Sequence, residues 1–103
     1  MELLGDSLDI IPEGNILIDF YADWCSPCKF LAPVLDEASK ELDIQVFKIN
    51  IDQNPKLASE FSIASIPTVI LFKNKKEVGR MVGLVTKSFL MTEVIRLLGD
   101  SNV

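Results

Sequence analysis

Residues Ile16–Ala22 read ILIDFYA, an apolar run broken by one aspartate. A run this short and this apolar predicts a strand covered on both faces. The spacing then changes. Leu31, Val34, Leu35, Ala38 and Leu42 fall on one side of a helix. Pro33 lies inside that helix, where its ring predicts a kink and a purely structural role. Ile44–Ile51 returns to alternation, with Phe47, Ile49 and Ile51 on one side of a strand. Asn54 as N-cap and Pro55 as first helical residue predict a short helix. Pro67–Phe72 predicts a strand that starts on its proline, KNKK a turn, and Glu77–Gly83 a strand pairing back. Thr86 can cap a last helix whose apolar face is Leu90, Val94, Leu97 and Leu98, with Gly99 ending it.

The predicted order is strand, helix, strand, helix, strand, strand, helix. A parallel βαβ unit followed by an antiparallel hairpin gives an α/β fold. Its central mixed sheet has helices on both faces. The first 15 residues carry a poorer pattern, read as a short edge strand near Glu2–Leu4 and a single helical turn. Residues 1–103 are expected to form a single domain.

Composition narrows the function. The chain has 103 residues, and 49% of them are apolar, enough for a core without a covalent staple. The net charge of −5 argues against nucleic acid as a partner. There is no histidine, which excludes imidazole bases and histidine-ligated metals. The N-terminus lacks a basic region followed by a long apolar stretch, and no run is long enough to span a membrane. A cytoplasmic protein with no membrane association is expected.

Asp19 to Pro33, DFYADWCSPCKFLAP, concentrates the candidate chemistry. It holds the only cysteines, Cys25 and Cys28, and the only tryptophan, Trp24. A disulfide between them closes too small a loop to restrain the unfolded chain much. Cys25 falls where the strand ends and the helix begins. Free backbone N–H groups and the positive end of the helix dipole favour a thiolate there, and thiolate is the nucleophile of disulfide exchange. Pro27 suits the first turn. Cys28, one turn later and expected to be more buried, can resolve a mixed disulfide formed at Cys25. Two inert core cysteines are the bland alternative. A metal centre lacks ligands, since two thiols are half of what zinc or an iron–sulfur cluster takes.

With no histidine, Asp19 is the candidate proton acceptor. Pointing inward, it would be desolvated and its pKa raised. Facing solvent at an edge, it would be ordinary. Lys48, the one charge in the next strand, either pairs with Asp19 or extends outward, and the pattern leaves both open. For Ile66–Pro67, sequence statistics alone favour a trans bond.

Taken together, ILIDFYADWCSPCK, LAPVLDE, INIDQNP, SIPTVILFKN and the glycine of MVG resemble the thioredoxin family. The resemblance runs from Ile16 to about Leu98. It implies the thioredoxin fold, with a central mixed sheet of four to five strands. It also implies a protein dithiol–disulfide oxidoreductase that reduces protein disulfides. Cys25 would attack and Cys28 resolve, together forming the redox-active disulfide. Asp19 would be the buried proton acceptor and Lys48 its charged neighbour. Ile66–Pro67 would be cis, and Trp24, Ser26, Pro27, Ile66, Pro67 and Gly83 would surround the thiols and meet the substrate.

No bound cofactor or metal is implied. Electrons would come from NADPH through a flavin-containing thioredoxin reductase, and the other partners would be disulfide-containing clients of a monomeric protein. Three departures stand out. Ser26 replaces the usual glycine and bears on redox poise. Lys75 replaces a turn glycine, where positive φ would be strained. The N-terminal strand and helix look shortened. Reversed chemistry in an oxidising compartment, a binding-only subunit and a dimeric metal module are the competing readings.

Overall fold

The computed structural model describes residue 2 and residues 8–100. A 3-10 turn, Leu8–Ile10, precedes β1, Asn15–Tyr21. Then follow α1, Ser26–Leu42; β2, Gln45–Asn50; α2, Pro55–Glu60; β3, Thr68–Lys73; β4, Lys76–Val82; and α3, Lys87–Asp100. The strands form one mixed sheet in the order β2-β1-β3-β4. β1 pairs with β2 in parallel, and β3 is antiparallel to both β1 and β4. The element order matches the hydrophobic pattern, and among the described residues the sheet has four strands, within the expected four to five.

β1 is central, which explains its apolar run. Leu17 packs on one face with Leu31, Leu35 and Ala38 of α1 and Leu90 and Val94 of α3. Ile16, Ile18 and Phe20 pack on the other with Leu57 of α2 and Ile11. Helices therefore cover both faces, and the period of two sends alternate β1 side chains into different cores.

Several local readings change. Pro33 lies within α1, which continues to Leu42. α1 ends in a left-handed residue, Asp43, at φ 52°. Asn54 occupies the N-cap of α2 but makes no side-chain capping bond; its Nδ2 donates to the Asn50 carbonyl instead. β3 begins at Thr68, one residue after Pro67, and β4 spans Lys76–Val82 rather than Glu77–Gly83. Gly99 does not end α3, which reaches Asp100; the helix packs along β4. There Leu97 lies so close over Gly79 that an added Cβ would stand 2.5 Å from Leu97 Cδ1. The Thr86 cap is present, its Oγ1 accepting from the Phe89 N–H at 3.1 Å.

The Asn74–Lys75 turn keeps positive φ at both residues, 50° and 72°. Lysine thus occupies a left-handed conformation that glycine adopts freely. The turn is anchored from outside: Asn74 Oδ1 accepts from the Gly14 N–H at 3.0 Å, and Asn74 N–H donates to the Gly14 carbonyl at 2.9 Å. At the other end of the chain, the expected helical turn is present at Leu8–Ile10. Of the expected Glu2–Leu4 strand, Glu2 forms an isolated parallel bridge with Lys48, and residues 3 and 4 lie outside the described residues.

Candidate active site

Strand register assembles the site. Tyr21 is opposite Asn50, Phe20 opposite Thr68, and Thr68 opposite Val82. The loops holding Cys25, Asp52, Pro67 and Gly83 therefore leave one end of the sheet. The Ile66–Pro67 bond is cis, and the Gly83 N–H donates to the Pro67 carbonyl at 2.8 Å. Gly83 has φ +92°, and no atom stands within 4 Å of where its Cβ would be, so its outer face is open.

Cys25 is the N-cap residue of α1, in extended conformation, and Pro27 sits in the first turn as expected. The Cys25 Sγ accepts the backbone N–H of Cys28 at 3.2 Å. The sulfur thus stands where a capping oxygen would, at the positive end of the helix. Cys25 and Cys28 are joined as a disulfide. Their exposures, 5% and 4%, do not separate them, so the expected deeper burial of Cys28 is not found in this state. The reason is the bond itself, which holds the two sulfurs together. Ile66 packs against the pair, with Tyr21 and Ile51. Ser26, first in α1, is exposed, and among the described residues its hydroxyl donates to neither sulfur.

Asp19 is fully buried, and neither carboxylate oxygen has a hydrogen-bond partner. It lies between Leu17, packed against α1, and Tyr21, on the same face of β1. Desolvation pushes its pKa up from 3.8 to about 6, with Lys48 opposing and Glu2 assisting. Lys48 is its register partner on β2. Yet the Lys48 ammonium lies over the Tyr21 ring, 5.3 Å from the centroid. A cavity lined by Tyr21, Ala22, Asp23, Lys29, Ala32 and Lys48 reaches Cys28.

Trp24 is 68% exposed beside the cysteines. Its indole N–H donates to Asp52 Oδ2 at 2.9 Å. Asp52 is itself held by its N–H donating to Asn50 Oδ1 at 2.9 Å. A groove lined by Trp24, Ile51, Ile63, Ala64, Ser65 and Ile66 runs alongside. Asp52 and Tyr21 are the site residues that sequence reasoning missed. Both lie inside stretches already singled out, INIDQNP and ILIDFYA; the pairing of β1 with β2 brings Asp52 to Trp24, and Tyr21 packs on the cysteine pair from the end of β1. Among the described residues, no three metal-ligating side chains cluster.

A redox-active pair capping a helix at the end of a mixed α/β sheet, facing a cis-proline loop, defines a thiol–disulfide exchange protein of thioredoxin fold. The thioredoxin family model matches residues 8–96. Thioredoxin from Rickettsia felis is 50% identical over 78 residues, 74% of each chain. Thioredoxin from Chlamydia trachomatis is 50% identical over 84 residues, 81% of this chain and 82% of that one. Among solved structures, a mutant thioredoxin from Halobacterium salinarum superposes with TM-score 0.82 at 32% identity, covering 94% of this chain and 88% of that one. Chloroplastic thioredoxin z superposes with TM-score 0.81 at 27% identity, covering 95% and 93%. The chain belongs to the thioredoxin family. It is a protein dithiol–disulfide oxidoreductase, acting on protein disulfides through its Cys25/Cys28 pair. The family works with its own cysteines and needs no bound cofactor.

Proposed function

We propose that this single domain, residues 1–103, is a monomeric cytoplasmic reductant in which Cys25 attacks and Cys28 resolves. The observation that carries the assignment is the N-cap bond, which puts a backbone donor on Cys25 Sγ, where it would stabilise a thiolate once the disulfide is reduced. The Cys25 thiolate attacks one sulfur of a client disulfide. A Cys25–client disulfide forms, and the other client sulfur leaves as thiolate and takes a proton. Cys28 then gives its proton to the Asp19 carboxylate and attacks Cys25 Sγ. The second client thiolate leaves, Cys25 and Cys28 are oxidised to the disulfide, and the client has gained two electrons. With a pKa of about 6, Asp19 is mostly ionised near neutral pH and still basic enough to accept.

Trp24, Ser26, Pro27, Ile66, Pro67 and Gly83 form the surface on which the client lies. The exposed Trp24 and the open face of Gly83 support that role. Lys48 adjusts the charge around Asp19. Electrons return from NADPH through a flavin-containing thioredoxin reductase. Among the described residues no helix is long and apolar enough to cross a membrane, which fits a protein working in solution.

The deciding experiment follows reduction of a protein disulfide by the wild type, Cys25→Ser and Cys28→Ser. Neither variant should turn over, and only Cys28→Ser should accumulate a client-linked disulfide. Full activity of Cys25→Ser would overturn the assignment.

A further inference from the structure

Asp19 and Lys48 face each other on adjacent parallel strands, the placement in which an ion pair is expected. The direct contact is not made. Both Asp19 oxygens are without a hydrogen-bond partner. The Lys48 ammonium instead sits 5.3 Å from the Tyr21 ring centroid, within the range of a cation–π attraction. Tyr21 is two residues beyond Asp19 on the same face of β1. Its ring is anchored: the phenol donates to Glu2 Oε2 at 2.6 Å. Tyr21 and Lys48 both line the cavity that reaches Cys28.

We propose that Tyr21 is a positioning residue for the exchange reaction: its ring, anchored by Glu2, holds the Lys48 ammonium off the Asp19 carboxyl. Asp19 is thereby left unpaired as the proton acceptor. This reading rests on the proton role given to Asp19 above. A carboxylate in direct contact with an ammonium holds protons weakly, whereas an unpaired buried one holds them well. Tyr21 therefore decides how much of the attraction of Lys48 reaches Asp19. The charges that act on Asp19 are Lys48 from β2 and Glu2 from the N-terminal segment. α1 contributes Cys28 and Lys29 to the neighbouring cavity, and the loop after β1 contributes Asp23. Across β3 the register partner is Val69, which carries no charge.

The test is a carbon-13 NMR titration of the Asp19 carboxyl in the oxidised protein. It compares wild type, Tyr21→Leu, Lys48→Met and the double variant. Removing the ring releases Lys48 toward Asp19, so Tyr21→Leu should lower the midpoint by about half a unit or more, roughly threefold in proton affinity. In the Lys48→Met background the same substitution should produce no such drop. An unchanged midpoint in Tyr21→Leu overturns the proposal. So does an equal drop with and without Lys48, which would mean that the ring merely keeps water out. Tyr21→Phe keeps the ring and should shift the midpoint by less than half as much; a full-sized shift would place the effect in the phenol and overturn the role of the ring. Circular dichroism checks folding, and Tyr21→Thr is the ringless substitute if Tyr21→Leu does not fold. Because the titration reads Asp19 directly, its outcome is independent of whether exchange uses Asp19, so the two readings fail separately.

Discussion

The backbone N–H of Cys28 donates to Cys25 Sγ at 3.2 Å, across the first turn of α1. One sulfur of the pair is therefore solvated by the helix end and the other is not. A helix N-terminus favours an anion by roughly 1 kcal/mol, close to one pKa unit. In the reduced protein Cys25 should therefore be the more acidic thiol of the pair. Limiting iodoacetamide at neutral pH should alkylate Cys25 ahead of Cys28, as read by peptide mass spectrometry. Preferential labelling of Cys28 would reverse the proposed roles.

Asp19 makes stability depend on pH in a defined direction. Its pKa in the fold, about 6, is above its ordinary 3.8, so folding favours the protonated form. That advantage is complete below about pH 3.8 and is lost as pH rises through about 6. Above that range the buried carboxylate costs roughly 3 kcal/mol. Asp19→Asn should therefore raise stability in urea by on the order of 2 kcal/mol at pH 8 and by little at pH 4. The same variant should slow resolution of the mixed disulfide by on the order of 10²-fold near neutral pH. An equal stability difference at both pH values would refute the burial argument, and an unchanged pH–rate profile would refute the proton role.

Lys75 holds φ 72° in the β3–β4 turn, next to Asn74 at φ 50°. Asparagine tolerates this region through its short polar side chain, and lysine does not. Lys75→Gly should stabilise the protein by about 1 kcal/mol, seen as a higher urea midpoint. A loss of stability would show that the Lys75 side chain contributes more than its backbone conformation costs.

Trp24 is the only tryptophan, so fluorescence reports on this one ring, whose indole N–H is bonded to Asp52. Asp52→Ala removes the acceptor and leaves an exposed ring free to rotate. Fluorescence anisotropy at position 24 should fall, and the KM for a protein disulfide should rise about three- to tenfold, the worth of one such bond. A KM within error of wild type would separate Trp24 orientation from client binding.

Much of this architecture is legible in the pattern of apolar residues. The run ILIDFYA identified a strand buried on both faces, and both faces of β1 are covered, by α1 and α3 on one side and α2 on the other. The reason is short-range: side-chain period and the chemistry of proline and capping residues act within a few positions. Gly99 stands one residue short of the end of α3, and Asn54, at the N-cap as expected, makes no side-chain capping bond. Asn54 has the right residue type at the right position, but its side chain turns to the Asn50 carbonyl beside it.

The sequence by itself determined the cysteine pair and its place at a strand-to-helix junction, because adjacency along the chain sets both. It also supplied a carboxyl in an apolar strand. Tertiary structure alone decided where that carboxyl points and what surrounds it. Strand register carried Asp52 to Trp24 and set Lys48 opposite Asp19, over separations that no local pattern encodes. The Lys48 side chain, open to two readings in the sequence, makes no direct contact with Asp19. It lies over the Tyr21 ring, since a charge on a flexible stem settles on the favourable partner that packing leaves within reach.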